Sequence, residues 1–198
     1  MKTGIIILAA GSARRYGKDK RLADLNGKPM LMRSIEAFAE LGSPLLIVSN
    51  HSLPQTIRDQ IVALADLKQI AAEMESSPDF GMGDSLALGI QFAQQQGWDA
   101  ALIALGDMPF IKAKTVAEIQ DQLRRYNSVV PVYGKQWGHP VGFRKVYFSE
   151  LAKLSGDKGA RAILTKSTPY ELPVEDPGVV TDVDYPEQLQ QAIEYIEH

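Results

Sequence analysis

The chain has 198 residues, of which 45% are hydrophobic and 23% charged, a balance typical of globular proteins. Lys and Arg total 21 against 24 Asp and Glu, so the formal net charge of −3 excludes a general basic field for nucleic acid or an anionic membrane. With no cysteine and three histidines, the sequence excludes disulfides, thiolate metal sites and cysteine nucleophiles, so a metal would need oxygen ligands. We expect one domain over residues 1–198, with two small domains as the alternative.

The first apolar run, residues 5–10, is too short to cross a bilayer, and we interpret it as a strand. No other stretch approaches the length of a transmembrane segment. A cytoplasmic protein is therefore the expectation.

Short apolar runs alternate along the chain with segments that carry apolar residues at helical spacing. The predicted strands are 4–9, 45–49, 100–105 and 128–132, and the predicted helices are 30–41, 53–64, 85–96, 115–126 and 186–197. Parallel strands need crossover connections, and continuously apolar strands need cover on both faces. The alternation thus predicts an α/β fold, an open and mostly parallel sheet between two helical layers. Because ligands of such sheets bind beyond the carboxyl ends of the strands, motifs directly after strands are the candidate sites.

The first such motif is the segment 8–20, which is rich in small residues and ends with basic ones. Small residues let the backbone approach a ligand closely, and Arg15, Lys18 or Lys20 could neutralise a polyphosphate. The segment has neither the Gly-Lys-Ser/Thr ending of the common P-loop nor a Gly-x-Gly-x-x-Gly pattern. These residues alone fit either a phosphate loop or a solvated basic loop.

Two acidic motifs could hold a hard cation such as Mg²⁺. Asp107 follows the third predicted strand, between Gly106 and Pro109, where it could equally be a turn residue or a helix cap. Asp182 and Asp184 lie two residues apart in an extended segment, and Asp184 is the nearer of the two to the last predicted helix. Asp182 is therefore the candidate second metal ligand, and Asp184 is the candidate cap of the last helix.

Three further stretches could contact substrates. Ser85, within residues 81–86 at a helix start, could contact a base or ribose, or the stretch could be a loop with a helix cap. His139 could lie beside an acceptor substrate or be a structural histidine. The stretch 156–161 could bind an acceptor phosphate or begin a helix.

Six motifs occur together, in one order and over nearly the whole chain. They are Leu8-Ala-Ala-Gly11 with Arg15, Gly17 and Lys20, then Gly81-Met-Gly-Asp-Ser-Leu86, Gly106-Asp-Met-Pro109, Gly138-His-Pro-Val141, Gly156-Asp-Lys-Gly-Ala-Arg161 and Asp182-Val-Asp-Tyr-Pro-Glu187. This combination resembles the MobA-like nucleotidyltransferases, and within them most closely the molybdenum cofactor cytidylyltransferase branch.

The resemblance implies a Rossmann-like three-layer sandwich of the nucleotide-diphospho-sugar transferase type, a nucleoside triphosphate donor and Mg²⁺. It implies catalytic roles for Arg15, Lys20 and Asp107, and a metal held by Asp107 and Asp182. The nucleotide-binding residues that it implies are Leu8, Ala9, Ala10, Gly11, Lys20, Gly83, Ser85 and Asp107.

The reaction implied is transfer of CMP from CTP to the terminal phosphate of molybdopterin, with release of pyrophosphate. The Ala-Ala-Gly and Gly-His-Pro-Val motifs favour the cytidylyl branch over the guanylyl branch. One alternative is the same chemistry on another small phosphate, such as a sugar phosphate or methylerythritol phosphate. The other is a non-catalytic protein that binds molybdenum cofactor and delivers it to a molybdoenzyme. Neither nucleic acid nor a membrane is an expected partner.

Overall fold

The computed structural model describes residues 1–10, 19–49, 53–65 and 81–183. Within these ranges seven strands and six α-helices form. The strands are β1 (Thr3–Ala9), β2 (Leu45–Ser49), β3 (Ala100–Leu105), β4 (Ser128–Tyr133), β5 (Gln136–Trp137), β6 (Val141–Arg144) and β7 (Tyr170–Pro173). The helices are α1 (Met30–Ala39), α2 (Gln55–Ala65), α3 (Met82–Gln95), α4 (Ala113–Gln122), α5 (Phe148–Leu151) and α6 (Arg161–Ser167).

The strands form one mixed sheet in the order β2-β1-β3-β6-β4-β5, and β7 also pairs with β4. The longer pairings, β1 with β2 and β1 with β3, are parallel, as is β4 with β7. Strand β6 lies antiparallel between β3 and β4, and β5 forms a hairpin with β4. The predicted α/β class with a mostly parallel open sheet is confirmed.

Two apolar layers cover the sheet, one on each face. Alternate residues of β1 enter different layers: Ile5 and Ile7 pack with α1, α2 and α4, whereas Ile6 packs with α3, α5 and α6. This alternation is the period of a strand, whose successive side chains point to opposite faces. Helices therefore pack against both faces of the sheet.

The four predicted strands are present, with bounds within one residue of the expected ones. Strands β5, β6 and β7 were not predicted, because they are only two to four residues long and give little periodicity. The predicted helix at 186–197 lies outside the described residues, and the single domain stays a prediction. None of the helices in the described ranges has the length and apolar character needed to cross a membrane.

Helix α3 approaches β1 and β2 closely because it carries a glycine on its sheet-facing side. A Cβ atom on Gly89 would lie 2.7 Å from Cγ2 of Ile6 and 3.4 Å from Cγ2 of Val48. Both neighbours are buried core side chains with no empty space to move into. The first turn of α3 contains Ser85, one of the predicted site residues. The close packing at Gly89 therefore fixes how near this turn lies to the sheet.

Replacing Gly89 with leucine should lower the free energy of unfolding by about 1–3 kcal/mol, because the added side chain overpacks this contact. Gln91→Leu adds the same side chain at an exposed position of the same helix and should change stability by less than about 0.5 kcal/mol. Urea unfolding followed by circular dichroism measures both. Equal stability of the two variants would contradict this packing.

Candidate active site

The carboxyl ends of β1 and β3 meet at one edge of the sheet. The two strands are parallel neighbours with Leu8 opposite Leu105, and the Gly106 N–H donates to the Leu8 carbonyl at 2.9 Å. On the other side of this turn, the hydroxyl of the buried Ser34 lies 3.0 Å from the Gly106 carbonyl oxygen. The turn that carries Asp107 is thereby fixed to both β1 and α1.

An ion pair between Lys20 and Asp107 stands at this edge. The Lys20 Nζ lies 2.7 Å from Asp107 Oδ2, and the two side chains are 17% and 24% exposed. The other carboxylate oxygen, Asp107 Oδ1, is buried and has no hydrogen-bond partner among the residues that the structure describes. A buried oxygen of a carboxylate is costly to leave unsatisfied, so its environment fits a ligand that supplies positive charge.

Arg21 holds the segment that carries Lys20, and it was not among the predicted site residues. Its guanidinium donates from Nη1 to the Ala9 carbonyl at 2.9 Å, and from Nε and Nη2 to the two Asp19 carboxylate oxygens at 2.8 and 2.6 Å. Only 5% of Arg21 is exposed. The run of charged residues at 18–21 indicated that basic side chains stand here, but the sequence did not show which of them is buried.

A cavity of about 280 Å³ opens beside the ion pair. Six of the predicted site residues line it: Leu8, Ala9, Ala10, Lys20, Ser85 and Asp107. Ser85 is 4% exposed, and its hydroxyl donates back to the Gly81 carbonyl at 3.2 Å. Arg21 and Asp157 also contribute to the wall, so cationic and anionic side chains both face the cavity.

The other predicted site residues either do not line this cavity or lie outside the described part of the chain. Gly83 does not line the cavity; it is buried against the loop 155–158, and a Cβ there would lie 2.6 Å from the Lys158 carbonyl oxygen. Asp182 is exposed, and the N–H of its neighbour Val183 donates to the Asp107 carbonyl at 3.1 Å. Gly11, Arg15, Lys18 and Asp184 lie outside the described residues.

The hydrogen bond from the Val183 N–H to the Asp107 carbonyl thus brings the backbone next to Asp182 close to Asp107, the other predicted metal ligand. In the described part of the chain, no group of three or more His, Cys, Asp or Glu side chains forms a ready metal cage. The orphaned Asp107 Oδ1 nevertheless fits a hard divalent cation, because Mg²⁺ is commonly bound by one or two carboxylates together with substrate phosphates.

A second, mostly apolar cavity of about 150 Å³ adjoins the first one, and Leu8, Met82 and Leu105 line both. Its other lining residues include Trp137, His139 and Arg161. The backbone N–H of His139 donates to the Val179 carbonyl at 2.8 Å. The imidazole Nδ1 of His139 lies 3.4 Å from the Ile103 carbonyl oxygen. His139 therefore lines the second cavity, and its place beside an acceptor substrate stays a prediction.

Burial lowers the pKa of His139 below its ordinary value of 6.5. The hydrogen bond to the Ile103 carbonyl and the carboxylates of Asp107 and Asp182 act in the opposite direction, but burial is the larger effect. His139 is accordingly neutral at pH 7.

The lowered pKa of His139 predicts a loss of stability in mild acid. The unfolded chain takes up the imidazole proton at about pH 6.5, before the folded chain does, so the free energy of unfolding falls as the pH drops below about 6.5. The fall should level off once the pH passes the folded pKa. Urea unfolding between pH 8 and 5 in EDTA should show a steeper fall for the wild type than for His139→Gln. Parallel pH profiles for the two proteins would contradict this.

Comparison with known proteins supports a family assignment. Residues 5–171 match the family model "MobA-like NTP transferase domain". The "Probable molybdenum cofactor guanylyltransferase" of Pyrococcus horikoshii is 23% identical over 161 residues, covering 80% of this chain and 76% of that protein. The "Bifunctional protein GlmU" of Mycobacterium ulcerans is 26% identical over 180 residues, 88% of this chain. The chain spans only about 35% of the length of that GlmU.

Solved structures share the fold. The crystal structure of Rv0371c from Mycobacterium tuberculosis H37Rv superposes with a TM-score of 0.77 at 23% identity, covering 98% of this chain and 97% of that one. A structure of Rv0371c in complex with manganese superposes with a TM-score of 0.74 at 22% identity, covering 98% and 99%. The fold is that of the nucleotidyltransferases, and with the family match over most of its length, the chain belongs to the MobA-like NTP transferase domain family.

Proposed function

We propose that this protein is a Mg²⁺-dependent nucleotidyltransferase that transfers CMP from CTP to the terminal phosphate of molybdopterin and releases pyrophosphate. The observation that carries the proposal is the Lys20–Asp107 pair beside a cavity at the carboxyl edge of the sheet. Within the described ranges, the second carboxylate oxygen of Asp107 is buried without a partner. Family membership supports the same class of reaction.

Lys20 is suited to the triphosphate of the donor. A lysine ammonium has three N–H donors, so Lys20 can keep its bond to Asp107 and still donate to phosphate oxygens. Arg15 and the amide of Gly11 would add to this cradle. Arg21 contributes by fixing the end of β1 and the Lys20 segment together, so that the lysine is held in place before the donor arrives.

The metal would be held by Asp107 and Asp182. When bound, a divalent cation supplies positive charge beside the α-phosphate and the departing pyrophosphate. Asp107 Oδ1 offers the buried oxygen that such an ion needs, and Val183 ties the Asp182 segment to Asp107. The manganese complex of Rv0371c is consistent with divalent metal use in this fold.

The adjoining apolar cavity is suited to the organic part of the acceptor. It shares Leu8, Met82 and Leu105 with the cavity of about 280 Å³, which Asp107 also lines and which we call the donor cavity. An acceptor seated in the apolar cavity would therefore turn its phosphate toward Asp107. An oxygen of that phosphate attacks the α-phosphorus, the bond from this phosphorus to the bridging oxygen breaks, and pyrophosphate leaves. A phosphate monoester is largely ionised near neutral pH, so the step needs no general base. Neutral His139 can border the acceptor without adding a charge.

The choice of CTP rests on the Ala-Ala-Gly and Gly-His-Pro-Val motifs. The relative from Pyrococcus horikoshii is named a guanylyltransferase, so GTP is the competing donor. Transfer to another small phosphate would use the same donor site. A non-catalytic role in cofactor delivery would not require a metal at Asp107.

Asp107→Asn should abolish most Mg²⁺-dependent pyrophosphate release, because it removes negative charge from the metal site. We expect a fall in kcat/KM of at least about 100-fold, the scale on which loss of one charge-stabilising group lowers turnover. The measurement is coupled detection of pyrophosphate with CTP, Mg²⁺ and purified molybdenum cofactor.

A matched control lies at the other end of the same strand. Asp99 precedes β3 and pairs with Lys145 at 2.9 Å, much as Asp107 follows β3 and pairs with Lys20. Asp99→Asn should leave turnover unchanged. Unchanged turnover in Asp107→Asn, or equal loss in both variants, would contradict the catalytic role of Asp107.

Binding of the donor should be visible without an acceptor. A nucleotide present at about 100 times its Kd stabilises the native state by about 2.7 kcal/mol, which raises the Tm of a chain of this size by about 5–10 °C. With Mg²⁺, we expect CTP to give a larger shift than GTP, UTP or ATP. A shift with none of the four would favour a role that does not involve nucleotides.

A further inference from the structure

The first turn of α3 and the loop 155–160 are joined by one carboxylate. Asp84 Oδ2 accepts the N–H of Gly81 at 3.0 Å and the N–H of Gly156 at 2.8 Å. The N–H of Gly83 donates to the Gly156 carbonyl at 2.7 Å. Two of these hydrogen bonds, those that involve Gly156, connect segments that are about seventy residues apart in the sequence, and the third closes the first turn of α3.

The two backbones touch at this junction. A Cβ atom on Gly81 would collide with the carbonyl group of Gly156, and one on Gly83 would lie 2.6 Å from the carbonyl oxygen of Lys158. Gly156 itself has φ +61°, a left-handed conformation that glycine adopts without strain. The glycines of both motifs are thus explained by the junction itself, and contact with a ligand is not required to explain them.

The junction forms a wall between the two cavities. On one side, Gly81, Met82 and Asp157 line the donor cavity. On the other side, Met82, Gly159 and Arg161 line the apolar cavity. Asp84 lines neither cavity, so it can act on substrates only through the segments that it holds.

We propose that Asp84 is a positioning residue, which holds the loop 155–160 against α3 and so fixes the shape of the donor cavity and the place of Asp157 in it. This inference rests on the proposed nucleotidyltransferase function. If the loop detaches, only part of the population is competent to bind, and the apparent affinity falls by that fraction. The effect should therefore appear in the KM for the nucleotide and leave kcat nearly unchanged, because no reacting group is lost.

The hydrogen bonds of the junction suggest two variants of Asp84 that should behave differently. A single oxygen of Asp84 accepts both N–H bonds, so the carbonyl oxygen of asparagine can take its place, whereas alanine has no acceptor. A role limited to favourable charge at the start of α3 would instead make Asp84→Asn and Asp84→Ala similar.

The experiment measures pyrophosphate release with CTP, Mg²⁺ and molybdenum cofactor, together with hydrogen–deuterium exchange over residues 155–160. Asp84→Ala should raise the KM for CTP about tenfold, as expected if about a tenth of the population stays competent, and change kcat by less than about twofold. Exchange at the Gly156 amide should quicken by more than about tenfold, because its hydrogen bond to a charged carboxylate is lost and the detached population must rise by more than the KM does. Asp84→Asn should stay close to the wild type in both measurements.

Asp99→Ala is the control, since Asp99 also accepts a backbone N–H, that of Lys2 at 2.9 Å, but at the opposite end of β3. An unchanged KM in Asp84→Ala, the same defect in Asp84→Asn, or a KM rise in Asp99→Ala would overturn the proposal. If the wild type releases no pyrophosphate, the proposed function fails. The junction is then judged by exchange alone, and an unchanged Gly156 rate in Asp84→Ala overturns it.

Discussion

The parallel pairing of β1 with β3 is the constraint on which the candidate site depends. Parallel neighbours end at the same edge, so the residues after Ala9 and after Leu105 are brought together although they are almost one hundred positions apart. The bond from the Gly106 N–H to the Leu8 carbonyl continues the pairing one step beyond the strands. This strand register brings Lys20 and Asp107 close enough to form their ion pair.

Two kinds of contact fix the shape of the site around Lys20 and Asp107. Arg21 ties the Lys20 segment to the end of β1 through the Ala9 carbonyl, and Ser34 ties the Asp107 turn to α1. On the opposite wall, glycine allows backbone to lie directly on backbone where α3 meets the loop 155–160. Preorganisation of this sort is what electrostatic catalysis requires, since charged groups must already be in place when the substrate arrives.

The fold was largely predictable because its central strands are long, apolar and followed by helix-period segments. The strand 100–105 was predicted with its observed bounds, and the motif after it was correctly placed at the sheet edge. Strand β6 was not predictable in this way, because its four residues include Gly142 and its antiparallel place between β3 and β4 depends on tertiary pairing.

The site was predictable in part, for the same physical reason. Lys20, Ser85 and Asp107 could be selected because they follow strands or begin a helix, and all three line one cavity. Arg21 could not be distinguished from its basic neighbours, since burial decided its role. Asp84 could not be found at all, because its partner Gly156 is distant in the sequence. The net charge of −3 gave no sign of the site, because Lys20 and Arg21 are only two of the 21 Lys and Arg residues.

The proposed function is transfer of a nucleoside monophosphate to a phosphorylated pterin-type acceptor at this edge of the sheet. Its most direct measurement is mass-spectrometric analysis of the product formed by the wild-type protein from CTP or GTP, Mg²⁺ and purified molybdenum cofactor. We predict a CMP adduct of the cofactor and one pyrophosphate for each adduct, with GTP giving much less product. Absence of any nucleotide adduct with either donor, in the presence of intact cofactor, would contradict the account.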